Sequence, residues 1–152
     1  LKNLKIVALM NNIKDEEYIE KIIKMFKLNT RINDKVKKYS LGMKQRLGID
    51  CALIKKPKLL ILDEPTNGLD PLGIKELREI IKNISEEMNV TVLLSSHILS
   101  EIENICDRIF IIDNGYIIDE IDVEDMKSHE MSLEQEYLKL TSGSVGQIGG
   151  EL

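Results

Sequence analysis

The sequence predicts an α/β fold in which a parallel sheet is flanked by helices. The runs Leu59–Leu62 and Val90–Leu94 are almost wholly apolar, as expected for strands covered on both faces. An amphipathic helical pattern lies between them, and this strand–helix–strand order favours a right-handed parallel arrangement. Asn114-Gly115 separates two further apolar runs, which predicts an antiparallel hairpin at the edge of the sheet.

Residues 1–38 are predicted to be mainly helical. Asp15 is placed to cap a helix whose apolar residues form one stripe. The stripe contains Tyr18, Ile19, Ile22, Ile23 and Phe26. A loop is expected around 29–38, after which Ser40 can cap a second helix that stops before Pro57.

The helix between the two strands has clear start and stop signals. Pro71 suits its first turn, and Asn89 suits its end. Apolar residues recur along it at the helical period. They are Leu77, Ile80, Ile81, Ile84 and Met88.

After the second strand the sequence predicts a short helix, the hairpin and two more helices. The hairpin strands are expected at Arg108–Ile112 and Tyr116–Ile118. Ser132 and Gln135 can form a capping box at the start of the last helix. The glycines and serines of residues 141–152 predict a flexible tail.

Composition excludes several functional classes. A net charge of −5 gives no electrostatic case for nucleic acid, and no nucleic-acid partner is expected. The longest apolar runs are far shorter than the ~20 residues that span a bilayer. Cys51 and Cys106 lie in apolar segments, which predicts buried thiols in a reducing, cytosolic compartment. The start at Leu1, without methionine or a targeting segment, is expected to be a cut.

Polar residues follow each predicted strand, where ligands bind in open α/β sheets. Asp63 and Glu64 come directly after the first strand, and His97 comes just after the second. Each feature also has a simpler interpretation. The acidic pair can be a solvated turn, Ser40 a plain helix cap, Asp70 part of a generic turn, and the histidine a structural residue.

Four stretches in this order resemble the nucleotide-binding domain of ATP-binding cassette (ABC) proteins over about residues 1–141. They are Ser40–Arg46, Leu59–Glu64, Gly68–Asp70 and His97. The sheet would then be part of a P-loop NTPase-type parallel sheet. The sequence Tyr-Ser-Leu-Gly-Met-Lys-Gln-Arg at 39–46 is similar to the signature of bacterial exporters that confer resistance to peptide antibiotics.

The resemblance implies catalytic roles for residues at the strand ends. Leu59–Glu64 resembles the Walker B strand, which implies that Asp63 helps to hold Mg²⁺ through water and that Glu64 polarises the attacking water. His97 corresponds to the switch histidine, which contacts the γ-phosphate. Hard Mg²⁺ prefers carboxylate and water oxygens, so the chemistry agrees with this assignment.

The resemblance also implies a second nucleotide-binding surface. Ser40 and Gly42 match the family signature Leu-Ser-Gly-Gly-Gln and would bind the γ-phosphate of ATP held by the opposite subunit. Leu41 and Met43 depart from it, since Leu41 lacks glycine's backbone freedom and Met43 lacks an amide side chain. Asp70 lies in a segment like the D-loop, which couples the two sites.

A phosphate-binding loop of the form Gly-x-x-x-x-Gly-Lys-Ser/Thr is absent from the 152 residues. We expect this Walker A loop and the Q-loop to lie before Leu1. The chain is therefore predicted to contain a helical signature subdomain (1–56), the C-terminal half of the catalytic core with hairpin and helices (57–141), and a flexible tail (142–152). Alone it is expected to bind neither ATP nor Mg²⁺.

The resemblance implies the ATP-binding, ATP-hydrolysing subunit of an exporter. Its partners would be a second nucleotide-binding domain and a membrane permease at the cytoplasmic face of the membrane. Two alternatives stay open: a non-transport ABC ATPase in DNA repair or on ribosomes, and a non-catalytic remnant that docks to an intact cassette. Uncovered sheet edges predict a non-native oligomer.

Overall fold

A computed structural model describes residues 2–26 and 34–144. The chain divides into two compact units, residues 1–96 and 97–152. The α/β class predicted from the sequence is confirmed. None of the described helices is both long and apolar enough to cross a bilayer.

The first unit begins with three α-helices. These are α1 (Lys2–Met10), α2 (Glu16–Met25) and α3 (Leu41–Leu53), with a short 3₁₀ turn at Val36–Lys38. The predicted caps are confirmed: Asp15 accepts a hydrogen bond from the Tyr18 amide at 3.0 Å, and Ser40 Oγ accepts one from the Met43 amide at 3.3 Å. Part of the loop predicted at 29–38 lies outside the described residues.

The helical core forms where α1 and α2 pack on α3. Phe26, Leu53 and Ile54 are fully buried there. The Tyr18 hydroxyl donates a hydrogen bond to the Leu53 carbonyl at 2.8 Å, so a polar tip ties α2 to the end of α3. The apolar stripe predicted for α2 is confirmed by its buried face.

Strands β1 (Leu59–Leu62) and β2 (Thr91–Leu94) pair in parallel, as predicted, and α4 (Pro71–Met88) connects them. Pro71 begins α4 and Asn89 ends it in the left-handed conformation at φ 53°. The expectation that β1 is covered on both faces is wrong for this unit. Leu60 is 4% exposed but Ile61 is 66% exposed, because strand side chains alternate and only one face is covered.

The described part of the second unit, residues 97–144, contains five elements. They are α5 (Leu99–Ile105), β3 (Arg108–Asp113), β4 (Tyr116–Asp122), α6 (Val123–Ser128) and α7 (Leu133–Ser144). Its core consists of Ile109, Ile111, Ile121, Val123, Met126 and Leu133.

The Asn114-Gly115 hairpin is confirmed, with φ values of 46° and 82° at its turn. β3 and β4 form a two-stranded sheet of their own in the second unit, and the expected place of the hairpin at the edge of the parallel sheet stays a prediction. The two-residue turn lets the strands satisfy each other's backbone groups locally. β4 also runs beyond the predicted Ile118, since Ile121 returns to the buried face and Glu120 pairs with Arg108.

The capping box that starts α7 is confirmed. Ser132 N donates to Gln135 Oε1 at 3.2 Å, and Gln135 N donates to Ser132 Oγ at 3.3 Å. The tail boundary at residue 141 is wrong, because α7 continues to Ser144. Extending a nucleated helix needs less favourable sequence than starting one. Residues 145–152 lie outside the described residues.

Candidate nucleotide-binding site

Asp63 and Glu64 lie just beyond the carboxyl end of β1, beside Ser95 at the end of β2. The register that pairs Leu62 with Leu94 brings these ends together. Ser95 Oγ donates to Asp63 Oδ1 at 2.6 Å and accepts a hydrogen bond from the Glu64 amide at 3.0 Å. One hydroxyl group therefore joins both residues of the acidic pair.

The backbone of Glu64 is held in an unusual conformation. Its φ of 45° lies in the left-handed region, which disfavours side chains larger than glycine by about 1–2 kcal/mol. Its amide is bound by Ser95, and its carbonyl accepts a hydrogen bond from the Asn67 amide at 3.1 Å. Such strained residues concentrate at functional sites, because the surrounding structure must hold them there.

The exposed Asp63 carboxylate fits a role in holding Mg²⁺. Oδ1 accepts the Ser95 hydrogen bond, whereas Oδ2 has no hydrogen bond within the described residues. In the described parts of the chain, no group of three or more His, Cys, Asp or Glu side chains could form a metal cage. A single carboxylate suits Mg²⁺, which is often held by phosphate and water together with one or two carboxylates.

The signature segment lies at the N-terminus of α3. Ser40 is exposed and caps the helix, which confirms its structural role. The first amides of a helix and its dipole together attract anions, worth ~0.3–1 kcal/mol per charge at an exposed site. The binding of a phosphate by Ser40 and Gly42 stays a prediction.

The signature segment, residues 40–46, contacts the turn between β1 and α4 and the first turns of α4. Gln45 Nε2 donates to the Asn67 carbonyl at 3.3 Å. Arg46 on α3 forms an ion pair of 2.7 Å with Glu76 on α4. Sequence reasoning missed Gln45, Asn67 and Glu76, because no local pattern marks contacts between residues so far apart in the chain.

Asp70 acts as the N-cap of α4. Its Oδ1 accepts a hydrogen bond from the Gly73 amide at 2.9 Å. This bond gives Asp70 a structural role as a helix cap. Its role in coupling two subunits stays a prediction. His97 is the first residue of the second unit, so its predicted place beside Glu64 also stays a prediction.

Ser95 is the main residue of this site that the sequence did not reveal. It precedes His97 by two residues at the end of a strand, but serines are common at such ends and nothing marked this one. Only the strand register shows that its hydroxyl reaches the acidic pair.

An α/β unit whose parallel strands end in an acidic pair is typical of nucleotide-binding domains of the P-loop NTPase class. A solved ATP-binding subunit of an ABC transporter has this fold. It is 31% identical, with a TM-score of 0.72 over 92% of this chain and 61% of that one.

Comparison with known proteins shows which family within this class the chain resembles. Residues 2–67 match the family model described as ABC transporter. The bacitracin transport ATP-binding protein BcrA of Bacillus licheniformis is 48% identical over 83% of the chain. The lantibiotic transport ATP-binding protein SrtF of Streptococcus pyogenes is 52% identical over 76%. The chain therefore resembles part of the ATP-binding domain of ABC transporters.

The chain matches only part of these relatives. It spans 41% of the length of BcrA and 50% of the length of SrtF.

Proposed function

We propose that this chain forms the signature and Walker B portion of the ATP-hydrolysing subunit of an ABC exporter. The observation that carries the proposal is the joining of Asp63 and Glu64 by Ser95 at the carboxyl edge of a parallel sheet. The relatives named for bacitracin and lantibiotic transport support an export function for peptide antibiotics.

In this proposal the residues at the strand ends serve hydrolysis. Asp63 holds Mg²⁺ through water, using the oxygen that Ser95 leaves free. Bound Mg²⁺ would neutralise charge on the β- and γ-phosphates. Glu64 orients and polarises the attacking water, and His97 contacts the γ-phosphate.

The signature residues serve a second, facing subunit. Ser40 and Gly42 present the N-terminus of α3 to the γ-phosphate of ATP held by that subunit, and Asp70 couples the two sites. The complete assembly contains two nucleotide-binding domains and a membrane permease. It works at the cytoplasmic face of the membrane, with residues 1–56 as the helical signature subdomain and 57–141 as part of the catalytic core.

A protein made only of these 152 residues lacks the amides and lysine of a Walker A loop. Electrostatic clamping of the phosphates is the main catalytic contribution in phosphoryl transfer. We therefore expect this protein to show no ATP turnover, and to bind ATP weakly or not at all. Mg²⁺-dependent turnover that Glu64→Gln abolishes would contradict this part of the proposal.

The catalytic assignment is tested in a chain that joins these residues to a Walker A loop. Glu64→Gln keeps the side-chain shape but removes the base, so turnover should fall by about 10²–10⁴ while ATP still binds. Glu86→Gln, on the exposed surface of α4, is the matched control and should keep full turnover. Equal activity of both variants would exclude Glu64 as the catalytic carboxylate.

A further inference from the structure

The hydroxyl group of Ser95 makes two hydrogen bonds of opposite sense. Its single hydrogen goes to Asp63 Oδ1 at 2.6 Å, and its lone pair receives the Glu64 amide at 3.0 Å. A hydroxyl is among the few side-chain groups that can both donate and accept in this way. The two bonds support each other, because the hydroxyl that donates its hydrogen to Asp63 turns its lone pairs toward the Glu64 amide.

Ser95 is itself firmly anchored. Its amide donates to the Leu62 carbonyl at 2.9 Å, which continues the parallel ladder one residue past β2. The hydroxyl therefore projects from the sheet and not from a loose loop. Positions set by strands are more precise than positions set by loops.

Ser95 binds the Asp63 carboxylate and the Glu64 amide, and each of these groups needs a partner to stay in place. Asp63 is exposed and could otherwise rotate about its side-chain torsions. Glu64 has a left-handed backbone that other local conformations would relieve. Fixing one carboxylate oxygen of Asp63 leaves the other available for a ligand, and binding the Glu64 amide opposes relaxation of its backbone.

We propose that Ser95 is a positioning residue for both carboxylates of the site. It holds Asp63 Oδ2 available to a divalent cation and keeps Glu64 in its left-handed conformation. The role of the cation rests on the proposed function, whereas the hold on Glu64 does not.

The test compares Ser95→Thr with Ser95→Val in the full 152-residue chain. The two replacement side chains have nearly the same shape and differ in the hydroxyl. Hydrogen exchange at the Glu64 amide should be about tenfold faster with valine and close to wild type with threonine. Ser85→Ala, on the exposed surface of α4, is the control and should leave this amide unchanged.

A second measurement uses Mn²⁺ alone as the probe, since it takes the same oxygen ligands as Mg²⁺ and its paramagnetism reports transient contacts even where no ion stays bound. Paramagnetic broadening of the Asp63 and Glu64 amide signals should need about tenfold more Mn²⁺ in Ser95→Val than in Ser95→Thr. Loss of this broadening in Asp63→Asn is the expected control.

Several results would overturn the role of Ser95. One is an exchange rate at the Glu64 amide that is the same in Ser95→Val as in wild type or in Ser95→Thr. Another is an equal Mn²⁺ requirement in Ser95→Val and Ser95→Thr. A third is an increase in exchange at the buried Leu77 amide as large as that at Glu64, because it would indicate global destabilisation. Unchanged broadening in Asp63→Asn would instead count against Asp63 as the cation ligand. The exchange comparison would still decide whether Ser95 holds Glu64.

Discussion

The side chain of Leu41 lies over the backbone of Gly68. A Cβ atom at Gly68 would come within 2.9 Å of Leu41 Cδ2, closer than carbon atoms approach. The relationship is reciprocal one residue further along each segment, because a Cβ at Gly42 would lie 3.2 Å from Leu69 Cδ2. Leu41, which departs from the family signature, thus fills the space over a glycine of the turn that precedes α4.

Gly68→Ala is expected to destabilise the chain by about 1–3 kcal/mol. The φ of 74° accounts for about 1–2 kcal/mol because the left-handed region disfavours alanine, and the half-exposed end of Leu41, which the new Cβ meets, moves aside at a smaller cost. In a Leu41→Ala background the contact disappears but the backbone penalty remains. Gly68→Ala should therefore cost about 1–2 kcal/mol there. Urea denaturation measures both values.

Gly48→Ala is the matched control, since Gly48 lies within α3 with open space around it. Alanine is the better helix former, so this variant should gain roughly 0.5–1 kcal/mol. A Gly68→Ala penalty that is equal with and without Leu41 would show that the Leu41 contact has no energetic effect.

Arg46 and Glu76 are expected to depend on each other for stability. Their side chains are only 15% and 25% exposed, and the charged atoms are 2.7 Å apart. Removing one partner leaves a charge with little access to water, so Arg46→Met or Glu76→Gln should each cost about 1–3 kcal/mol. The double variant should cost clearly less than the sum of the two.

The exposed pair of Lys24 and Glu20 provides a comparison on α2. Its side chains are 75% and 71% exposed and 3.9 Å apart, so truncating either should change stability by less than about 0.5 kcal/mol. Additive losses at Arg46 and Glu76, measured in the same denaturation assay, would contradict the predicted coupling.

Asp50 gives the first unit a dependence on pH. It lies in the last turn of α3, is fully buried, and neither carboxylate oxygen has a hydrogen-bond partner within the described residues. Burial raises its pKa from 3.8 to about 8. Burial, and then the charge of Asp50, also raises the pKa of the neighbouring Cys51 thiol.

The free energy of unfolding should therefore fall as the pH rises from about 4 to about 8. In this window the unfolded chain has lost the Asp50 proton while the folded chain retains it, so ionisation favours unfolding. Asp50→Asn cannot ionise and should be more stable than wild type at pH 8 by roughly 2–4 kcal/mol. Thermal and urea unfolding at several pH values measure this difference.

The comparison is best made between pH 5 and 8. The exposed Asp15 has its pKa lowered, first by its hydrogen bond with Lys56, and its contribution is lost only as the pH falls below its ordinary value of 3.8. A pH dependence in Asp50→Asn as steep as in wild type would assign the effect to other groups.

Sequence patterns predicted the elements of this fold because their signals are local. Asp15, Ser40 and the Ser132–Gln135 box set helix starts through bonds that reach three residues along the chain. The Asn114-Gly115 turn likewise needs only its own two residues. The same kind of signal placed Asp63 and Glu64 at a strand end.

The missing parts depend on contacts across the sequence. Ser95 reaches Asp63 over a separation of 32 residues, and only the register of two strands determines that meeting. The burial of Ile61 was predicted from its apolar neighbours, but burial also requires a covering element on that side of the sheet. A strand pattern cannot show whether one is present.

The uncovered side of the parallel sheet yields a final prediction. Leu60 and Ile61 are neighbours on β1 and are 4% and 66% exposed, while Leu93, paired with Ile61, is 51% exposed. Leu60→Thr should cost about 2–5 kcal/mol because it removes buried methyl groups and buries a hydroxyl. Ile61→Thr keeps a β-branched side chain and should change stability by less than about 0.5 kcal/mol.

Ile61→Thr should also weaken self-association, because it interrupts the exposed apolar surface. Size-exclusion chromatography with light scattering over a range of concentrations measures this. If Ile61→Thr destabilised the chain as much as Leu60→Thr does, Ile61 would have to be buried in solution. If the wild-type chain were a monomer at every concentration, association through this face would be excluded.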